Sequence, residues 1–278
     1  AVGHEALAKA TTSSYNVAVG DYALERVTTG SGRNTGIGWV SGRFITTGED
    51  NALLGSYSGY RITTGNSNVA VGDNAGAYLT TGSDNTFLGK YAGLNTTTGS
   101  RNFLGGPFGG QNVTTGGENV AIGYYSMGTT AGVTGDGNIA IGSSAGEDLT
   151  SGSKNVLLGH QAAKNLTTGE SNVALGTQSG HNITTAIYNV AIGESAGYTI
   201  STGGYNVAIG YSAMGSGGAK TGASNTAFPI PRVQIIQSLV TALVAPPTQS
   251  LMRLLLVTLL LLDSAYRAFK LERVMVRY

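Results

Sequence analysis

The chain contains no cysteine, and among its 278 residues there are only 5 prolines, 3 histidines and 1 tryptophan. Without cysteine there can be neither a disulfide framework nor a thiolate metal site. Charge is scarce as well. Charged residues make up 11% of the chain and the net charge is +1, so nothing electrostatic calls for nucleic acid or an anionic membrane as partner. The most leucine-dense run, Leu254–Leu262, is nine residues between Arg253 and Asp263. A spanning helix needs about 20, so membrane insertion is not expected.

Glycine, in contrast, is abundant, with 44 residues. It does not recur every third residue, which excludes collagen. Simple disorder is excluded by a 41% hydrophobic content at near-zero net charge.

The glycines belong to a repeat. The stretch TTGESNVALGTQSGHNITTAIYNVAIGESAGYTISTGGYNVAIG, Thr167 to Gly210, states nearly the same phrase three times. Asparagines open the units at Asn16, Asn34, Asn51, Asn68, Asn85, Asn102, Asn119, Asn138, Asn155, Asn172, Asn189, Asn206 and Asn225. Their spacing is 17 except for one step of 18 and two of 19. Counting each asparagine as the first position, the fourth is aliphatic or aromatic from Val19 to Phe228, with Gly105 the one exception. The fifth is glycine from Gly20 to Gly210. The eighth is small (Ala75, Ala92, Ala145, Ala196) and the ninth usually glycine. An aliphatic twelfth (Val27, Ile45, Ile62, Leu79, Leu166, Ile183, Ile200) leads into Thr-Thr-Gly.

Apolar residues at the second and fourth positions have the period of a strand, ended by a glycine with positive φ. Thr-Thr-Gly predicts a second short β-prone piece with its own turn. One unit has too few apolar side chains for a core, but units stacked in parallel bury them in a continuous column. The expected fold is all-β: a parallel β-solenoid of about 13 rungs, which at a rise of about 4.8 Å gives a shaft of roughly 60 Å over residues 1–228. Stacking places equivalent asparagines above one another, each amide donating to one neighbour and accepting from the other. Helical repeats are a poor alternative, because two or three glycines and a Thr-Thr pair per 17 residues disfavour helix. The opening AVGHEALAKATTSSYN reads as a unit lacking its first two residues, as expected of a piece of a longer protein. The units of 19 residues insert after Met127 and Met214, at the same place, so both are expected to bulge from one side.

The phrase N-V-A-I-G followed by a small residue and glycine resembles the β-roll head repeats of trimeric autotransporter adhesins. The 17-residue form, with Ala-Gly in the middle and Thr-Thr-Gly before the next asparagine, looks more like bacteriophage tail fibre shaft repeats. The resemblance covers residues 1–228 and implies a homotrimer, in an extracellular setting on a virion tail. A thin coil also has a physical reason to trimerise, since three copies can bury apolar faces around a common axis.

Catalytic chemistry is not indicated. His4 and His160 share the sixth position but lie many rungs apart, so no metal cluster or triad forms. That position otherwise holds residues such as Asp21, Trp39, Lys90, Pro107, Glu194 and Tyr211, which reads as a variable exposed site. Asp73 and Glu194 stand singly, whereas acid–base hydrolysis needs a close pair. Asp136 in TGDGN is alone, whereas repeated calcium turns need an aspartate in every unit. GGPFGG at Gly105–Gly110 belongs to the repeat, and the sequons at Asn95 and Asn165 are of a kind that arises by chance in Asn/Thr-rich chains. No cofactor is expected. The seventh position is aromatic at Tyr22, Tyr57, Tyr91, Phe108 and Tyr125, then turns to Ser and Gln. Such a stripe either contacts host surface glycans or other fibre proteins, or shields the roll and packs at a trimer seam.

After Phe228 the pattern stops, and residues 229–278 form a leucine-rich tail without the phrase. An amphipathic or coiled-coil trimerisation stub is one reading. The better explanation is a frameshift just after Phe228, with residues 229–278 expected to be frameshifted or disordered. Back-translated degenerately and read from each codon's third base, the segment around residues 246–263 permits NTVSNEITLGNATITR, which resembles the stretch before the C-terminal chaperone domains of phage tail fibres. Two function classes follow: a tail fibre shaft supporting host-cell attachment, or the stalk or head of a bacterial surface adhesin or extracellular filament.

Overall fold

Each asparagine is followed by one short strand. The structure, a computed structural model, describes residues 1–29, 32–128, 131–218 and 220–228; the leucine-rich tail lies outside the described residues. The strands run β1 (Val17–Val19), β2 (Thr35–Ile37), β3 (Ala52–Leu54), β4 (Val69–Val71), β5 (Thr86–Leu88), β6 (Phe103–Gly105), β7 (Val120–Ile122), β8 (Ile139–Ile141), β9 (Val156–Leu158), β10 (Val173–Leu175), β11 (Val190–Ile192), β12 (Val207–Ile209) and β13 (Thr226–Ala227). They form one 13-stranded parallel sheet in sequence order, so each unit is one rung of a β-solenoid. Register is position on position: Ala174 of β10 lies between Leu157 of β9 and Ala191 of β11, all three at the third position of their units. The incomplete first unit joins through a parallel bridge from Val2 to Val19.

The fifth-position glycine is dictated by this stacking. Gly55 has φ +135°, and a Cβ there would lie 2.4 Å from the carbonyl oxygen of Gly72 in the next rung. No side chain fits, and the chain turns out of the strand at that point.

The side chains that fill the interior differ from those expected. The second and fourth positions do not face the core: Val19, Ile37, Leu54, Val71 and Leu88 are each 38–40% exposed. The third position points inward instead, with Ala70, Phe87, Leu104, Ala140 and Leu157 fully buried. Only one face of a strand can meet the narrow interior, and the third residue, most often small, is the one that fits it. The eighth and twelfth positions complete the core, with Ala75, Ala92, Ile45, Ile62 and Leu79 at 0% exposure. Size is traded across this interior. Where the third residue is Phe87, the ninth positions beside it are Gly76 and Gly93, whose added Cβ would sit 2.6 and 2.3 Å from its ring. Where the third residue is Gly36, the ninth position of the preceding rung is Leu24, whose Cγ lies 2.8 Å from where a Cβ would be. The interior stays filled while the residues that fill it change.

The wall opposite the strands also departs from expectation: Thr-Thr-Gly forms no named strand. Positions six to fourteen make a chain of turns, bonded both within and between rungs. Tyr57 N–H donates back to Trp39 C=O, Gly59 and Arg61 N–H donate forward to Ala75 and Ala77 C=O, and Tyr60 N–H closes a turn on Tyr57 C=O. The threonines continue the pattern, Thr63 N–H donating to Thr80 C=O at 2.8 Å. Alternate residues must adopt left-handed backbone to do this, and the seventh position does so without glycine, as at Tyr57 (φ 55°) and Tyr91 (φ 60°). Each such residue costs about 1–2 kcal/mol, offset by hydrogen bonds to two neighbours. At the longer units, residues 129–130 and 219 lie outside the described residues, so the expected bulges do too. Parallel bridges Val113–Val133 and Ile200–Lys220 carry the register across both insertions.

Candidate functional site

The asparagine column is a hydrogen-bonded ladder. From Asn34 to Asn225, each Nδ2 donates to the Oδ1 of the preceding asparagine at 2.8–3.3 Å, except at Asn119, where the backbone N–H makes the link at 3.0 Å. Each Oδ1 also accepts the next asparagine's backbone N–H, as Asn155 does from Asn172 at 2.9 Å. The second Nδ2 hydrogen crosses the coil: Asn51 to Gly65 C=O at 3.0 Å, Asn68 to Gly82 C=O at 3.0 Å, Asn85 to Gly99 C=O at 2.9 Å. The side chain thus ties strand wall to return turn within a rung, and rung to rung along the axis. From Asn34 to Asn206 these amides are buried, whereas Asn16 is half-buried and Asn225 exposed at the ends. A buried amide with all its groups engaged is a specific device, since any apolar replacement strands its partners.

The seventh-position aromatics do not form one stripe. Val40 and Asn74 interrupt it. Tyr91, Phe108 and Tyr125 do stack in succession, with ring centroids 5.2 and 4.9 Å apart. Tyr22 instead meets His4 at 5.2 Å and lies under the Arg43 guanidinium at 4.6 Å. Tyr57 contacts Trp39 at 5.0 Å and Tyr60 at 5.1 Å. All five rings are half-buried.

Through Tyr22 and Tyr57 the structure reaches a cluster that column-by-column reading missed, at the tenth and eleventh positions of the first rungs. Phe44 and Tyr60 meet edge to face at 4.9 Å, Arg26 lies over Phe44 at 4.4 Å, and Arg61 over Tyr78 at 4.8 Å. Phe44, Tyr60, Arg61, Thr63 and Thr80 line a groove of about 350 Å³. Nearby, Glu25 is buried between Arg43 and Lys9. Burial alone would raise its pKa, but the hydrogen bonds from Arg43 and Lys9 outweigh that and hold the carboxyl below its ordinary range. The contacts join unlike repeat positions in different rungs, which is why no single column of the sequence displays them.

The remaining sequence candidates are engaged elsewhere. His181 stacks on Tyr198 at 5.1 Å, and the sequon residues Asn95 and Asn165 donate to Asn112 and Asn182 in side-chain ladders. Asp136 Oδ1 accepts the Gly117 N–H at 2.7 Å. Among the described residues, no group of three His, Asp or Glu side chains is arranged to hold a metal ion, and no helix is long and apolar enough to cross a membrane. No family model, curated protein or solved structure matches the chain.

Proposed function

We propose that the repeats form the structural shaft of a bacteriophage tail fibre, a homotrimeric, non-enzymatic rod that supports host-cell attachment from outside the cell. The observation that carries the assembly is the outward face of the sheet. Second- and fourth-position side chains point away from the core, and from Val19 to Ile141 the fourth-position residues stay at least 37% exposed, Gly105 aside. Aligned rung on rung, they make an apolar stripe on the order of 1,000 Å², more than a monomer ordinarily leaves in water and the scale of one side of a stable interface. A second copy carries the same stripe in the same register, so closed symmetry about an axis parallel to the shaft satisfies every rung at once.

The phage assignment within this architecture rests on the 17-residue unit with central Ala-Gly and Thr-Thr-Gly. The other reading, a stalk or head of a bacterial adhesin, has the same rod and the same stripe. Native mass of the full chain tests the assembly, with three copies expected; a monomer would overturn the trimer. A long read across the locus separates the two sources: a tail-attachment or chaperone domain supports the phage fibre, and a C-terminal membrane β-barrel supports the adhesin.

A further inference from the structure

We propose that the groove lined by Phe44, Tyr60, Arg61, Thr63 and Thr80 is a binding site for a carboxylate-bearing sugar. This stands apart from the shaft reading, since a rod of either origin would carry it. The site lies on the turn wall, and the third-, eighth- and twelfth-position side chains of the core separate it from the outward stripe of the strand wall. Association along that stripe therefore leaves the groove open.

The lining supplies three kinds of recognition. Arg26 covers one face of Phe44, so it is the exposed remainder of Phe44 and Tyr60, edge to face at 4.9 Å, that offers an apolar surface against which the C–H groups of a pyranose pack. Thr63 and Thr80 donate their hydroxyl hydrogens to the carbonyls of Thr80 and Thr97, at 3.2 and 3.0 Å. Their oxygens keep lone pairs, so toward the groove they act as acceptors for sugar hydroxyls. Arg61 supplies the charge. It is exposed and, among the described residues, makes no ion pair, whereas Arg33, Arg43 and Arg101 each have a carboxylate at hand. Tyr78 lies under its guanidinium at 4.8 Å, which fixes the plane and leaves the N–H edge for a bidentate carboxylate. The groove's volume, about 350 Å³, falls in the range of small-ligand sites.

An acidic peptide is the competing occupant, and the backbone argues against it. An extended peptide is held chiefly by main-chain hydrogen bonds to a free edge. Here Arg61, Thr63 and Tyr78 N–H are already bonded to Ala77, Thr80 and Leu94 carbonyls in the next rung. Side chains alone face the groove, as suits a sugar.

The test is ligand-observed saturation-transfer NMR on the full chain, with 3′-sialyllactose, lactose and a short Glu/Gly peptide as probes. Sialyllactose should bind with a Kd of about 1 mM, and lactose at least tenfold more weakly. Arg61→Gln should lose about tenfold or more, the scale of one charge-assisted pair, with Arg61→Lys falling between. Both variants should melt with the parent, because Arg61 is exposed. Raising salt should weaken the acidic sugar and leave lactose unchanged. No saturation by sialyllactose up to about ten times that Kd, equal binding of lactose, an unaffected Arg61→Gln, or peptide binding as strong as the sugar would each overturn the proposal.

Discussion

Along the strand wall the outward second and fourth positions hold apolar residues or threonine, Gly105 aside, while the tenth position of the turn wall passes through Glu25, Arg43, Tyr60, Ala77 and Leu94. Both walls hydrogen-bond rung to rung, so backbone pairing does not account for the difference. What differs is where the side chains point. On the strand wall one face is confined by the core and the other, apolar, points away from it. On the turn wall the tenth and eleventh side chains meet only their neighbours and solvent. Under the proposed assembly, the uniform surface is the one that would match copies of itself, and the varied surface is free to specialise.

The sharpest break in that comparison is at the asparagine ladder, which belongs to the uniform wall. Asn172→Leu removes the Nδ2 bonds to Asn155 Oδ1 and Ala186 C=O and leaves the N–H groups of Asn189 without their acceptor. Several buried groups lose partners together, so destabilisation of about 3–5 kcal/mol per chain is expected. Thermal melts of parent and variant check it, and coincident melts would show that the ladder contributes nothing.

A second substitution tests the two faces of one strand against each other. Ala140 is fully buried and Ile141 is 39% exposed, although they are adjacent in β8. Ala140→Glu should abolish folding, because an unpaired carboxylate is forced into a dry interior. Ile141→Glu should preserve the circular dichroism of the shaft but reduce the native mass, because it puts charge into the stripe proposed to lie between copies. A trimer mass retained by Ile141→Glu would show that the stripe is not the contact.

This pair of residues also shows what was legible in the sequence. The period of 17, the asparagine column and the buried eighth and twelfth positions were all readable, because stacking forces like onto like. The inward face was not. A three-residue strand can turn either face to the core, and large residues at two and four suggest burial, whereas the narrow coil admits the third. Large apolar residues facing out are what the proposed association between copies would cover. The Phe44–Tyr60–Arg61 groove was hidden for a different reason. It joins the tenth, eleventh and thirteenth positions of successive rungs, and only folding brings those together.

On the turn wall the expected effects are smaller. Glu25 has its folded pKa below the ordinary 4.5, so its ionised form stabilises the fold above that pH. The contribution is lost as pH falls through the folded value. Arg43 and Lys9 remain partly solvated, so Glu25→Gln should cost about 1–2 kcal/mol at neutral pH, between an exposed pair and a fully buried one. The difference in melting temperature between parent and variant should then shrink at about pH 3, below the usual carboxylate range. A difference independent of pH would show that packing, and not charge, accounts for the loss.

The smallest expected effect is none at all, and it concerns the end of the repeats. Among the described residues, every rung lies within 1–228, together with its asparagine and core side chains. If the leucine-rich tail is a frameshifted segment, a chain ending at Phe228 should melt with the full chain and keep its native mass, because the proposed burial along the stripe would be carried by the repeats. If the tail is a trimerisation helix, truncation should release monomers or aggregates and remove helical signal in parallel. Comparing native mass and circular dichroism of the two chains decides between them, and loss of the oligomer together with helix would overturn the frameshift.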